Sequence, residues 1–309
     1  MIEPTLNYVS CPGPAAAGAA QDAGHRMAFW QWSGGGADAG HVVVCVHGLS
    51  RQGRDFDVLA RTLAPHARIA CPDVVGRGHS DWLADPQGYQ LPVYAADMLA
   101  LLAQLHAEFP IHTLDWVGTS MGGLIGLLLA GQPGLPLPAP VRRLVLNDVG
   151  PALEWDALVR IGQYLGAPLI FASEAQAADA LWQISSSFGP HTREQWLALS
   201  RPMLRPAPQG GFRLHYDPAI AVPFRSIQPQ DAADGEALLW QLYGQVSART
   251  LLLRGAQSDL LSPATAERMT GCGPRAQLVQ FEGVGHAPTL VDPAQVEVVR
   301  RFLLDADAP

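Results

Sequence analysis

DWVGTSMGGLIGLLLAG, residues Asp115 to Gly131, opens as a buried strand and closes as a buried helix. One hydroxyl stands between the two, on Ser120. Gly118 and Gly122 lie two places to either side of it, with Gly123 next. A corner this tight brings strand, helix and serine close together, so the residues flanking the serine must be small. A helix that starts at the serine also aims its positive N-terminal end at that hydroxyl, which favours developing negative charge. The Gly-x-Ser-x-Gly spacing is a weak signal by itself and needs the rest of the chain.

Outward from this corner the chain alternates. HVVVCVHG, from His41, is a continuous β-branched run, the pattern of a parallel strand buried on both faces. RIACPD ends a strand at Asp73, TLDWVG leads into Ser120, and VRRLVLNDVG covers Val141 to Gly150. ARTLLLRG and AQLVQFEG read as two more strands near the end of the chain. Helical patterns fall at about Phe56 to Leu63, Val93 to Glu108 and Met121 to Ala130. Two later ones are SPATAERM, capped by Ser262, and DPAQVEVVRRFLLDA, capped by Asp292. Alternation of this kind predicts an α/β fold with a mostly parallel twisted sheet and helices on both faces. HRMAFWQWSG, from His25, alternates and reads as an edge or antiparallel strand. The residues before it, rich in Ala, Gly and Pro, read as a loose lead-in.

The alternation stops between about Pro151 and Val246. Helix patterns such as EWDALVRIGQYLG and SEAQAADALWQISSSF fill this stretch, with almost no buried-strand run. It reads as a helical cap, residues 151–246, inserted after the sixth strand of a core formed by residues 1–150 and 247–309. Such a cap would lie over the carboxyl ends of the strands. Leu158, Ile161, Leu165 and Trp182 are expected to line a pocket there.

The composition narrows the possibilities. The chain has 309 residues, 48% hydrophobic and 16% charged, so a large core is feasible. A net charge of −8 argues against a nucleic-acid partner. The four cysteines (Cys11, Cys45, Cys71, Cys272) are far apart, which fits a reduced compartment better than a disulfide framework. MIEPTLNYVS has neither a basic nor an apolar leader segment, and no apolar run approaches the ~20 residues that cross a bilayer. A cytoplasmic protein without membrane attachment is the expectation. The histidines show no H-E-x-x-H pattern and no pairing at metal-ligand spacing, so neither metal nor cofactor is expected.

In a parallel sheet, ligands meet residues just beyond the carboxyl ends of the strands. Ser120, Asp148, Asp259 and His286 stand at such ends. Serine is a poor nucleophile until a base takes its proton, and the base needs an anion to hold its tautomer. The chain order Ser120, Asp259, His286 supplies such a set. Asp148 is the rival acid, since it too ends a strand; capping the first cap helix or walling the pocket is its alternative role.

The sequence resembles the α/β-hydrolase fold family, in its serine esterase and C–C hydrolase branch with a helical cap. The resemblance spans Val42 to Leu304 and rests on HGLS, PDVVGRGHSD, GTSMGG, RGAQSDLLSP and GVGHAP, each at a predicted strand end. It implies that Ser120 is the nucleophile, Asp259 the acid and His286 the general base, with the backbone N–H groups of Leu49 and Met121 as the oxyanion hole. His47 is expected to hold the oxyanion turn. The HGLS turn, in place of HGGG, disfavours esters of bulky tertiary alcohols. The implied activity is hydrolysis of a small or medium carboxylic ester or lactone through an acyl-enzyme. Cleavage of a C–C bond in a meta-cleavage-type diketone is the alternative chemistry. A non-hydrolytic, ligand-binding or signalling relative is the alternative class. A serine at the elbow, rather than an aspartate, argues against dehalogenase or epoxide hydrolase chemistry. Arg51 and Arg54, just past the HGLS turn, could meet a substrate carboxylate or simply be solvated.

Overall fold

The structure is a computed structural model that describes residues 2–13 and 24–305. Its centre is an eight-stranded sheet. In chain order the strands are β1 (Thr5–Cys11), β2 (His25–Trp32), β3 (Asp38–Val46), β4 (Ala67–Pro72), β5 (Thr113–Thr119), β6 (Val141–Asn147), β10 (Arg249–Gly255) and β11 (Gln277–Phe281). Three short strands between β6 and β10 are β7 (Ile170–Phe171), β8 (Leu204–Pro206) and β9 (Phe212–Leu214). The large sheet runs in the order β1-β2-β4-β3-β5-β6-β10-β11. β2 pairs antiparallel with both β1 and β4, and every other pairing is parallel.

The apolar runs explain this order. Val42 to Val46 of β3 and Leu251 to Leu253 of β10 are buried, as strands covered on both faces must be. One face is covered by α2 (Leu91–Glu108) and α3 (Met121–Gly131), whose Met98, Leu101 and Ile125 meet Val44, Trp116 and Leu144. The other face is covered by α1 (Asp57–Leu63) and α10 (Pro293–Leu304), with Leu59, Leu63, Val299 and Leu303 against Val43, Val145 and Leu251. α9 (Pro263–Gly271) lies between β10 and β11 in the chain. The chain thus has the α/β architecture, a mostly parallel sheet with helices on both faces, expected from its alternating runs.

The lead-in differs from its sequence reading. TLNYVSC forms β1 at the sheet edge, and Val9 and Cys11 turn inward. The antiparallel partner β2 supplies the backbone hydrogen bonds that the short, weakly apolar segment does not predict by itself.

The segment between β6 and β10 carries α4 (Trp155–Tyr164), α5 (Glu174–Ser185), α6 (Arg193–Ser200), α7 (Ala221–Ser226) and α8 (Pro229–Gln245). The helix patterns are met, but β7, β9 and β8 also form a small antiparallel sheet that the sequence reading omitted. These strands are two or three residues long, too short for a period to register. The segment is tied down at its middle. Gly78 N–H donates to His215 O at 2.8 Å, Asp217 N–H to Gly76 O at 2.7 Å, and the Tyr89 hydroxyl to Asp217 Oδ2 at 2.6 Å. α8 instead lies along α3, where Leu242 and Tyr243 are buried and the Tyr243 hydroxyl donates to Met269 O at 2.7 Å. No helix among the described residues is long and apolar enough to cross a membrane.

Candidate active site

The corner at Ser120 is as tight as its glycines suggest. Ser120 sits at φ 52°, ψ −119°, in the left-handed half of the map where only a constrained non-glycine residue is found. A β-carbon on Gly118 would strike the Gly122 carbonyl, and one on Gly122 would strike Val46 O. The Trp116 indole donates to Gly122 O at 3.0 Å and pins the first turn of α3 to β5.

His286 reaches the serine. Its Nε2 lies 3.0 Å from Ser120 Oγ, and its Nδ1 lies 2.7 Å from Asp148 Oδ2. The Asp148 side chain is fully buried and is held from the end of β10: Gly255 N–H donates to Oδ1 at 2.9 Å and the Ser258 hydroxyl to Oδ2 at 2.6 Å. Asp148 itself stands at φ 55°, the second strained residue of the site. Its neighbour Asn147 joins three loops. Asn147 O accepts from Ser120 N–H at 3.0 Å, while its side-chain amide donates to Thr119 Oγ1 at 2.9 Å and Pro288 O at 2.8 Å.

The expectation that Asp259 stands against His286 is not met. Asp259 faces outward, and its carboxylate takes Nε of Arg160 on α4 at 2.8 Å and Nη2 at 2.7 Å. The physical reason is the sheet order. β6 lies between β5 and β10, so the residue that ends β6 is next to the serine's own strand. The loop after β10 then supplies donors to Asp148 rather than the acid. Asp148 was the rival candidate in the sequence, whereas Asn147 and Ser258 were missed. Their only sequence signal is adjacency, Asn147 to Asp148 and Ser258 to Asp259.

Comparison with known proteins identifies the family to which this fold belongs. Residues 41–165 match the family model described as the alpha/beta hydrolase fold. A 3-hydroxybutyrate-oligomer hydrolase of Cupriavidus necator is 47% identical, over 98% of this chain and 99% of that protein. The chain belongs to the α/β hydrolase family. An alpha/beta hydrolase from Novosphingobium aromaticivorans superposes with a TM-score of 0.81 at 34% identity, covering 98% of this chain and 99% of that one. A 2-hydroxymuconate semialdehyde hydrolase from a Pseudomonas species is 26% identical over 87% of this chain and 89% of that protein.

In this α/β hydrolase the turn after β3 is held from below. Val74 N–H donates to His47 Nε2 at 3.0 Å, so the ring proton is on Nδ1 and donates to Gly48 O at 2.7 Å. That bond fixes the Gly48–Leu49 peptide and with it the direction of the Leu49 N–H. The buried Arg77 donates from Nε to Leu49 O at 2.8 Å and secures the next peptide. Met121 is the first residue of α3, so its N–H has no acceptor within the helix. Leu49 and Ser120 line one cavity with His286, Arg51, Arg160, Ile161, Tyr164, Leu181, Ile184 and Phe188. Of the four apolar residues expected there, only Ile161 does so. Leu165 is in the main core, and Trp182 stacks edge-on against Trp196 and His191 in a separate cluster.

Cys11, His25 and Asp97 come together elsewhere, on β1, β2 and α2, with one ligand-type atom from each within 4.8 Å of the others. No spacing rule reveals this convergence, because the three residues come from three elements. His25 Nε2 bonds Asp97 Oδ2 at 2.9 Å, and burial, then the Asp97 charge, pushes the Cys11 thiol up, so it stays protonated.

Burial also sets how stability responds to acid. His47 is pulled from 6.5 down to about 3 and His215 to about 4, chiefly by desolvation. Asp73 is raised from 3.8 to about 6 by burial, against the pull of the His79 and Gly53 amides. The unfolded chain takes up the two histidine protons near pH 6.5 while the folded chain refuses them, so stability falls as the pH drops below 6.5. Asp73 works the other way, binding a proton in the folded chain between pH 6 and 3.8. His79 and His191, also pulled down by burial, act with the two histidines, and Asp55 and Asp97, also raised by burial, act with Asp73. His47, His215 and Asp73 by themselves make stability fall by about 2 kcal/mol from pH 7 to pH 5. Urea unfolding at the two pH values checks this; an unchanged or higher midpoint at pH 5 would show that the carboxyls dominate.

Proposed function

We propose that the protein is a serine hydrolase that cleaves carboxylic esters through an acyl-enzyme, and that its substrates are short oligoesters of a 3-hydroxy acid. The relay from Ser120 through His286 to Asp148, at 3.0 and 2.7 Å, carries the chemistry. Ser120 Oγ attacks the ester carbonyl as His286 Nε2 takes its proton. Asp148 holds the Nδ1 proton in place and stabilises the imidazolium. The N–H groups of Leu49 and Met121 receive the oxyanion, with the N-terminal end of α3 behind them. His286 then hands its proton to the departing alcohol, and water, activated by the same ring, releases the acid.

The substrate class rests on the relative from Cupriavidus necator, whose match runs nearly the full length of both chains. The cavity agrees with it, since apolar Ile161, Leu181 and Phe188 stand beside charged Arg51 and Arg160. Turnover of the linear 3-hydroxybutyrate dimer and trimer, beside p-nitrophenyl esters of graded length and a meta-cleavage diketone, tests the reading. Release of 3-hydroxybutyrate supports it. Turnover of the diketone alone would place the protein with C–C hydrolases, and binding without turnover would place it with ligand-sensing relatives.

Residues 151–246 act in this reading as a cap that shapes the acyl pocket. Ile161→Ala and Phe188→Ala are expected to reorder kcat/KM among the graded esters, by shifts between about ten- and two-hundred-fold at most. Trp182→Ala should lower thermal stability and leave the ranking nearly as it was, because the indole packs against Trp196 rather than the cavity. An unchanged ranking in both cavity variants would move selectivity into the sheet loops.

A further inference from the structure

We infer that Arg160 is the residue that recognises a free carboxylate on the substrate, and that Asp259 occupies its guanidinium until the substrate arrives. This deepens the ester-hydrolase reading above and rests on it. Arg160, Ile161 and Tyr164 project from one face of α4, and all three line the cavity that contains Ser120 and His286. The charged residues of that lining are Arg51, Asp55 and Arg160, two cations against one anion, in a chain whose net charge is −8. Each of the two arginines already has a carboxylate partner, Arg51 in Asp55 and Arg160 in Asp259, which stands just outside the lining, so an anionic ligand binds here by taking the place of one of them.

The two arginines differ in how firmly they are held. Arg51 is closed in: it grips Asp55 bidentately at 2.6 and 2.7 Å, and the two side chains are only 11% and 17% exposed. Arg54, the other arginine after the HGLS turn, grips Asp57 and covers Trp30, away from the cavity. The Arg160–Asp259 pair is open, at 39% and 48% exposure. A pair in contact with water contributes little, so exchanging one carboxylate for another costs little. A planar guanidinium also matches a carboxylate in two-point geometry. Asp259 is thus a placeholder: it keeps Arg160 extended over the site and is displaced by the anionic end of an oligoester.

The test compares the linear 3-hydroxybutyrate dimer with its methyl ester, which carries the same scissile bond and no free charge. Wild type should favour the free acid, and added salt should narrow the preference. Arg160→Gln should reduce the ratio of kcat/KM for acid over methyl ester by about three- to tenfold, mostly through KM, and Arg160→Lys should restore part of it. Asp259→Asn should raise the ratio, because the guanidinium is then free. A ratio equal in wild type and Arg160→Gln would overturn the assignment while ester hydrolysis stood. If neither ester is turned over, the hydrolase reading itself fails. Calorimetric binding of the dimer to Ser120→Ala and to Ser120→Ala with Arg160→Gln still decides the inference: weaker binding in the double variant supports it, and equal binding overturns it.

Discussion

Ser120→Ala is expected to fold normally and to lose about a million-fold in kcat, the scale on which serine relays fail when the nucleophile is removed. The loss is large because the remaining parts cannot substitute. His286 then has no hydroxyl to deprotonate, and the N–H groups of Leu49 and Met121 can only polarise a carbonyl that water must attack unaided. Folding should survive, since a smaller side chain at φ 52° adds no clash. The measurement is ester turnover by the purified variant, with circular dichroism to confirm the fold and a fluorophosphonate probe to locate the reactive hydroxyl by peptide mass. Retained activity, or labelling on another serine, would place the nucleophile elsewhere.

Asp148→Asn should cost about ten-thousand-fold in kcat, whereas Asp259→Asn should stay within about tenfold on a neutral ester. The first change removes the acceptor for His286 Nδ1–H and offers an amide that favours the wrong tautomer. It also disturbs the donors that converge on that carboxylate, from Gly255 and Ser258. The second removes an exposed partner of Arg160. Measuring both variants against one p-nitrophenyl ester is enough. The reverse ordering would return the acid to the loop after β10 and require that loop to turn inward when substrate binds.

These two aspartates mark how far the amino-acid sequence is legible. The alternation of β-branched runs and amphipathic helices is a local property, and it carries the sheet, both helical layers and the position of Ser120 at a corner. His286 was legible for the same reason, as a histidine in a glycine-rich loop after the last strand. The choice between Asp148 and Asp259 was not local. It depends on β6 lying between β5 and β10, and strand order is set by packing across the whole sheet. Asn147 was illegible because its work is to join loops more than a hundred residues apart, as its bond to Pro288 O shows. β1 was hidden by composition, since its hydrogen bonds come from β2. Arg160 carried no motif; only its place on α4, lining the same cavity as Ser120, singles it out.

The most direct test of the relay is the proton on His286 Nδ1, observed by NMR in protein labelled with nitrogen-15 at histidine. A short bond to a buried carboxylate should shift that proton far downfield. The geometry predicts that the signal persists in Asp259→Asn and vanishes in both Asp148→Asn and His286→Gln. A signal that survives in Asp148→Asn and disappears in Asp259→Asn would contradict it.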